Sequence, residues 1–212
     1  METWAIVAAG GLGTRFGRPK QFLPLAGRRL VDRAVEVAGA ACDGVVLVLP
    51  AGAVWDGPGV TAVVEGGPTR SASVRAGLAA VPDRVAVVVV HDAARPLASP
   101  DLFSAVIEAV RAGADAAVPG LPVPDTLKRV VGDRVVETVG RDDLVAVQTP
   151  QAFRAAALRS AHATGADATD DAALVEAAGG SVVVVPGDPR NLKVTGPRDL
   201  LVAEALDRVG FP

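Results

Sequence analysis

Short runs of β-branched and aliphatic residues recur along the chain, separated by stretches whose apolar positions fall three or four apart. The runs at 4–9, 44–49, 60–64, 85–90, 114–118, 144–147 and 181–185 are apolar at nearly every position. A strand with one wet face would alternate, so continuous runs of this length predict parallel strands covered on both faces. Between them, Leu30, Ala34, Val37 and Ala41 share one helical face, as do Leu102, Val106 and Ala109 beside Phe103, Ile107 and Val110. Pro100 and Asp101 punctuate the start of the second of these helices and Gly113 its end. Strands interleaved with helices from end to end predict an α/β sandwich around a mostly parallel sheet. No repeat, low-complexity tract or linker divides residues 1–212, which read as one domain.

Residues 122–143 depart from this rhythm. Gly132-Asp133 lies between two β-prone runs and predicts a hairpin. The segment holds too little apolar surface for a core of its own. It is therefore expected to pack on something else, either as a flap on its own chain or as an arm around a second subunit.

Composition narrows the function classes. Hydrophobic residues make up 50% of the chain and charged residues 21%, which excludes a disordered polymer. Aromatics are only 3%, without a tyrosine, so the core must be aliphatic. A net charge of -3 gives no global attraction for nucleic acid or anionic lipid, and an anionic substrate would need a local cluster of cations. Cys42 is the single cysteine, which excludes an internal disulfide and fits a reducing cytoplasm. The apolar start at 1–9 lacks a basic region and is too short for a signal peptide. The run at 85–90 is far below the roughly 20 residues that span a bilayer, so no membrane partner is expected.

The candidate chemistry sits where strands end. The first strand runs into Ala8-Ala9-Gly10-Gly11-Leu12-Gly13-Thr14-Arg15-Phe16-Gly17-Arg18-Pro19-Lys20-Gln21. In open α/β sheets ligands bind beyond the carboxyl ends of the strands, and glycines let backbone N–H groups approach phosphate oxygens. Arg15, Arg18 and Lys20 bring cations to the same place. A Walker loop is excluded because Pro19, not glycine, precedes Lys20. A dinucleotide fingerprint is excluded because Phe16 stands at its third glycine and Pro50-Ala51-Gly52 where its acid belongs. His91-Asp92-Ala93-Ala94-Arg95-Pro96 follows the run at 85–90. Asp92 is the best candidate ligand for the Mg²⁺ that accompanies a nucleoside triphosphate, a hard cation that takes carboxylate, phosphate and water oxygens. His91 reads better as a structural imidazole, and His162 draws no role. The cluster 66–74 opens a helix and suits base recognition, and Thr149-Pro150-Gln151 follows another strand end. Lys193 interrupts the apolar run 191–195, where an ammonium is costly unless it meets an anion or faces outward from a strand.

Taken in order, these segments resemble a known family. They are Ala-Ala-Gly-Gly-Leu-Gly-Thr-Arg-Phe at 8–16, Pro-Lys-Gln-Phe-Leu at 19–23 and Gly-Gly-Pro-Thr-Arg-Ser-Ala-Ser-Val at 66–74. His-Asp-Ala-Ala-Arg-Pro at 91–96, Asp-Thr-Leu-Lys-Arg at 125–129, Gln-Thr-Pro-Gln at 148–151, Thr-Asp-Asp at 169–171 and Asn-Leu-Lys-Val-Thr at 191–195 follow. Together they resemble the 2-C-methyl-D-erythritol 4-phosphate cytidylyltransferases of the non-mevalonate isoprenoid pathway, from Ile6 to about Ala205. The resemblance implies a Rossmann-like nucleotidyltransferase sandwich and a homodimer clasped by the 122–143 arm. It implies attack by the acceptor's phosphate on the α-phosphorus of CTP, with Mg²⁺ as cofactor and pyrophosphate as leaving group. By the same resemblance Arg15, Lys20, Arg141 and Lys193 would be catalytic. Ala8, Ala9, Gly10, Gly11, Gly13, Gly67, Ser73 and Asp92 would surround the nucleotide, with Asp92 also holding the metal. Arg95, Thr126, Arg141, Thr149, Thr169 and Lys193 would bind methylerythritol phosphate, Thr126 and Arg141 reaching in from the partner's arm.

Pro68 departs from the family pattern, in which an acidic residue stands beside the base; proline offers no N–H there. Two other readings stay open on the sequence. A ribitol-5-phosphate cytidylyltransferase shares the glycine loop and the His-Asp-Ala turn, but Ser73-Val74 and the 126–129 run favour the methylerythritol enzyme. A non-catalytic nucleotide-sensing subunit would be expected to have lost Lys20, Lys193 or Asp92, and all three are present.

Overall fold

A computed structural model describes residues 1–11, Gly17 and 19–209. Strands β1 (Thr3–Ala8), β4 (Gly44–Leu49), β5 (Ala62–Glu65), β6 (Val87–Asp92), β7 (Ala116–Pro122), β10 (Val145–Val147), β11 (Gln151–Arg154) and β12 (Val182–Pro186) form one eight-stranded sheet. Its order is β10-β7-β11-β6-β1-β4-β5, with β12 along β7. The pairs β1–β4, β1–β6, β4–β5 and β7–β12 are parallel, as the unbroken apolar runs require. The antiparallel pairs all involve β11 or β10.

Helices cover both faces. On one lie α1 (Leu30–Ala41) and α3 (Pro100–Arg111); on the other lie α2 (Arg70–Ala79), α4 (Ala155–Ala163) and α5 (Asp171–Ala177). Strand β1 shows why its sequence does not alternate: Ala5 and Val7 enter the first core and Trp4 and Ile6 the second, all buried. The α3 face buries Leu102, Phe103, Val106, Ile107 and Val110, as its spacing predicts. Its N-cap is Ser99, whose side chain accepts from the Leu102 N–H, ahead of Pro100 and Asp101 in the first turn. The C-terminal α6 (Pro197–Val209) packs on a small third cluster through Ala203.

Between Gly17 and α1 lie a 3₁₀ turn (Lys20–Phe22) and the two-residue strands β2 (Pro24–Leu25) and β3 (Arg28–Arg29). The predicted hairpin is present as β8 (Leu127–Val131) and β9 (Arg134–Val139), which among the described residues pair only with each other and turn at Gly132 with φ +61°. Val130, Val131, Val135 and Val136 are all more than half exposed on it. The alternative of an outward-facing strand position for Lys193 does not hold: its apolar run lies in irregular chain between β12 and α6.

Candidate active site

The parallel register places Ala8 of β1 directly beside Asp92 of β6, at the carboxyl edge of the sheet. A cleft of about 660 Å³ opens there, within the size range of small-ligand sites. The glycine loop from Ala8 to Gly11 forms one wall, with Lys20 and Gln21 beyond it; Gly66, Gly67 and the first turn of α2 form another. Asp92 and Lys193 close the floor.

Close backbone approach explains two glycines. A Cβ on Gly66 would lie 2.9 Å from Ser73 Oγ and 3.3 Å from Gly10 Cα, and one on Gly10 would lie 3.2 Å from Ser73 Oγ. The loop and α2 can meet only without side chains at these points. Gln21, which the sequence reading left without a role, fixes the loop: its buried Nε2 donates to the carbonyls of Ala9 (2.7 Å) and Gly11 (2.9 Å). Ser73 Oγ donates to Thr69 O at 2.9 Å, while Thr69 Oγ1 caps α2 through the Ala72 N–H.

Charge concentrates on Asp92. Lys193 Nζ donates to its Oδ2 at 2.6 Å and Arg70 Nε to its Oδ1 at 3.2 Å. Burial alone would raise this carboxyl's pKa, but the two cations outweigh it and hold the group well below the usual carboxylate range. Lys20 Nζ donates to Val194 O at 2.7 Å, so the ammonium of Lys20 lies beside the segment that carries Lys193.

A second layer orders the carboxyl end of β6. The Asp92 N–H donates to Thr149 Oγ1 (3.0 Å), which contacts His91 Nδ1 at 3.2 Å. His91 Nε2 faces the carbonyl of Arg95 at 3.2 Å. A carbonyl only accepts, so Nε2 carries the proton and Nδ1 accepts from the threonine. Burial pushes the His91 pKa down to about 4, so the ring is neutral near pH 7 and structural, as the sequence reading favoured. Arg95 Nη1 donates to Asn191 O at 2.7 Å, and Asn191 Nδ2 donates to Thr149 O at 2.8 Å. Arg95, Thr149 and Lys193 therefore belong to one bonded network around Asp92.

The other predicted residues fall as follows. Ala8, Ala9, Gly10, Gly11, Gly67, Ser73, Lys20, Asp92 and Lys193 line the cleft together. Arg15 and Gly13 lie outside the described residues. Thr169 is exposed just before the Asp170 cap of α5; the neighbouring 166–168 segment is tied to α2 by Thr69–Asp167, Arg75–Ala166 and Ser71–Ala168 hydrogen bonds. Thr126 and Arg141 are exposed at the base of the hairpin, where Arg141 bonds the Pro124 carbonyl, and neither lines the cleft of its own chain. Arg70, Gln21 and Asn191 are site residues that carried no assigned role, although all three sat within segments already singled out. Among the described residues no group of three or more His, Cys, Asp or Glu side chains could hold a metal by itself. Asp92 offers one hard carboxylate, which suits a magnesium ion shared with phosphate and water oxygens. Burial pushes the Cys42 thiol up to about 12, so it is protonated and has no part in this chemistry.

Comparison with known proteins agrees with this arrangement. The family model described as IspD, 2-C-methyl-D-erythritol 4-phosphate cytidylyltransferase, matches residues 3–208. The 2-C-methyl-D-erythritol 4-phosphate cytidylyltransferase of Rhodococcus jostii is 46% identical, over 97% of this chain and 95% of its own length. The bifunctional enzyme IspD/IspF of Clavibacter michiganensis is 49% identical over 95% of this chain, and this chain spans 53% of that relative. Among solved structures, the 2-C-methyl-D-erythritol 4-phosphate cytidylyltransferase of Thermus thermophilus superposes with a TM-score of 0.87 at 40% identity, covering 98% of this chain and all of its own. The chain belongs to the 2-C-methyl-D-erythritol 4-phosphate cytidylyltransferase family.

Proposed function

We propose that this chain transfers CMP from CTP to 2-C-methyl-D-erythritol 4-phosphate, giving 4-diphosphocytidyl-2-C-methyl-D-erythritol and pyrophosphate. The acceptor's phosphate oxygen forms a new bond to the α-phosphorus as the bond to the β-phosphate's bridging oxygen breaks. The observation that carries this reading is the Lys193–Asp92–Arg70 cluster lining one cleft with the glycine loop and Lys20. Phosphoryl-type transfer asks little covalent chemistry of a protein and much preorganised charge, which this wall supplies.

In this reading Ala8, Ala9, Gly10, Gly11, Gly67 and Ser73 enclose cytosine and ribose. Lys20 and Lys193 stabilise charge on the phosphates, Lys20 on the triphosphate and Lys193 at the attacking phosphate. Pro68 can offer no backbone donor to the base, so recognition falls to its neighbours Gly67 and Thr69. Arg95, Thr149 and Thr169 face the acceptor. A Mg²⁺ bound through Asp92 would neutralise triphosphate charge. Thr126 and Arg141 serve the partner subunit's site, the 122–143 hairpin being an arm that clasps a second copy. Support for that assembly is the row of valines on β8 and β9, each more than half exposed. A cytoplasmic setting suits a chain with one thiol, and no helix among the described residues is long and apolar enough to cross a membrane.

The test is pyrophosphate release in a matrix of nucleotides (CTP, UTP, ATP, GTP) against acceptors (methylerythritol 4-phosphate, ribitol 5-phosphate), each with Mg²⁺ and with EDTA. Turnover confined to CTP, methylerythritol phosphate and Mg²⁺ is expected. Preference for ribitol 5-phosphate, or no turnover with either acceptor, would overturn the reading.

A further inference from the structure

Lys20 and Lys193 line the same cleft from distant parts of the chain, and one short strap joins them. Residues 191–195 run in irregular chain from β12 toward α6. The strap is pinned at Asn191, whose Nδ2 donates to Thr149 O at 2.8 Å. It is pinned again at Val194, whose N–H donates to Ala94 O at 2.8 Å and whose side chain is buried with Leu25, Leu30 and Ala203. Between these anchors Lys193 reaches Asp92. The next peptide, Val194–Thr195, is held from elsewhere.

A trans peptide is a rigid plane with its C=O and N–H pointing opposite ways. On one side the Val194 carbonyl accepts from Lys20 Nζ at 2.7 Å. On the other the Thr195 N–H donates to Asp199 Oδ2 at 2.8 Å. The same oxygen accepts from Thr195 Oγ1 and, at 2.9 Å, from the Gly196 N–H. Hydrogen bonds from the Thr195 hydroxyl and from these two N–H groups hold the Asp199 carboxyl below its ordinary pKa. Asp199 is the third residue of α6, and α6 is tied to α1 near its far end by two Arg33–Asp207 bonds of 2.6 and 2.7 Å. A cap of this kind would by itself only start the helix. What exceeds that role is the peptide it grips, because turning that plane would turn Val194 O away from the ammonium. An N–H bonded to a carboxylate also makes the carbonyl of the same peptide a stronger acceptor.

We propose that Asp199 is a positioning residue for Lys20: by holding the N–H of the Val194–Thr195 peptide it sets the carbonyl that directs the Lys20 ammonium at the cleft. An ammonium carries three N–H groups, so the bond to Val194 O can persist while another meets a phosphate. The inference rests on the cleft being the site of cytidylyl transfer, with Lys20 acting on the triphosphate.

A double-mutant cycle tests it. Asp199→Ala should lower kcat about 10-fold or more with KM for CTP changed less than about 3-fold, since a misplacement of about 1 Å suffices for such a loss. In a Lys20→Ala background the same substitution should change kcat less than about 2-fold, because the group it positions is gone. Asp199→Asn, which keeps an acceptor for the Thr195 N–H, should recover kcat to within about 3-fold of the parent. Asp207→Ala, which loosens α6 from α1 without touching that peptide, should lower the melting midpoint and leave kcat within about 2-fold. A loss in the Lys20→Ala background as large as in the parent, or an equal loss of kcat in Asp207→Ala, would overturn the proposal and leave Asp199 a helix cap. Independently of any variant, a crystal of the parent with a non-hydrolysable CTP analogue should keep Lys20 Nζ on Val194 O, and an ammonium that leaves that carbonyl on binding would also overturn it. If the parent makes no cytidylyl product, it is the functional reading that fails. The crystal structure of Asp199→Ala then decides the positioning role: Lys20 Nζ displaced from Val194 O supports it, and an unmoved bond overturns it.

Discussion

His91 ties the active-site strand to acid stability in a way that can be measured. It is fully buried, packs its ring against Phe103 with centroids 5.2 Å apart, and bridges Thr149 to the Arg95 carbonyl. Burial lowers its pKa from 6.5 to about 4, so the unfolded chain takes up a proton near pH 6.5 that the folded chain refuses until about pH 4. Between those values the unfolded state holds more protons, and stability falls as pH falls. The whole interval, at about 1.36 kcal/mol per pH unit, corresponds to about 3 kcal/mol, of which about 2 kcal/mol is lost between pH 7 and pH 5. For a chain of this size that is a drop of roughly 4–8 °C in melting midpoint. Asp92 does not contribute in this window, because its depressed pKa puts its loss at lower pH. His91→Gln supplies an acceptor and a donor but no titrating group. It should be less stable than the parent at pH 8, where the lost ring contact dominates, yet lose less stability on acidification. The assay is urea unfolding at pH 8, 7, 6 and 5, comparing the slopes of ΔG against pH. Parallel slopes for parent and variant would show that His91 takes up its proton in the fold over the same pH range as in the unfolded chain, and the neutral-imidazole bridge would have to be abandoned.

Four further outcomes are expected. Lys20→Ala should lower kcat by about 10²–10³, the loss typical of one preorganised donor, with less effect on CTP binding; a raised KM at unchanged kcat would assign Lys20 to ground-state binding. Asp92→Asn should shift the Mg²⁺ concentration for half-maximal rate upward, and superimposable Mg²⁺ titrations would remove Asp92 from the metal. Gly77→Ala would set a Cβ 2.6 Å from Ile6 Cγ2 where α2 crosses β1, an overpacking of about 1–3 kcal/mol partly offset by about 1 kcal/mol of helix propensity; calorimetry should show a lower midpoint, and a raised one would mean that α2 moves freely. Mixing Lys20→Ala with Arg141→Ala subunits should restore about a quarter of the sites if each site takes Arg141 from its partner, whereas confirmed subunit exchange without recovery would make the hairpin a flap on its own chain.

The sequence by itself determined the layer structure and the place of the site. Unbroken apolar runs such as Gly44–Leu49 leave no wet face, and β1, β4 and β6 are parallel and buried as that requires, but the run at 144–147 forms β10, an exposed strand antiparallel to β7. An acid ending one such run and a glycine-rich turn ending another had to meet at the carboxyl edge. The hairpin was legible because Gly132 supplies the positive φ that its turn needs. The β11 strand was not legible: Gln151 and Arg154 bracket only two apolar residues, and its pairing with β6 and β7 is a contact between distant segments. The same limit hid the site's electrostatics. Local periodicity reports which face of an element is buried, but not which charges converge across that face. Arg70 reaches Asp171 across 101 positions, and Lys193 reaches Asp92 across another 101 from irregular chain rather than a strand. Only the packed fold places those charges within hydrogen-bond reach. In that low-dielectric setting the cations reverse what burial alone would do to Asp92, and no pattern along the chain encodes such a balance.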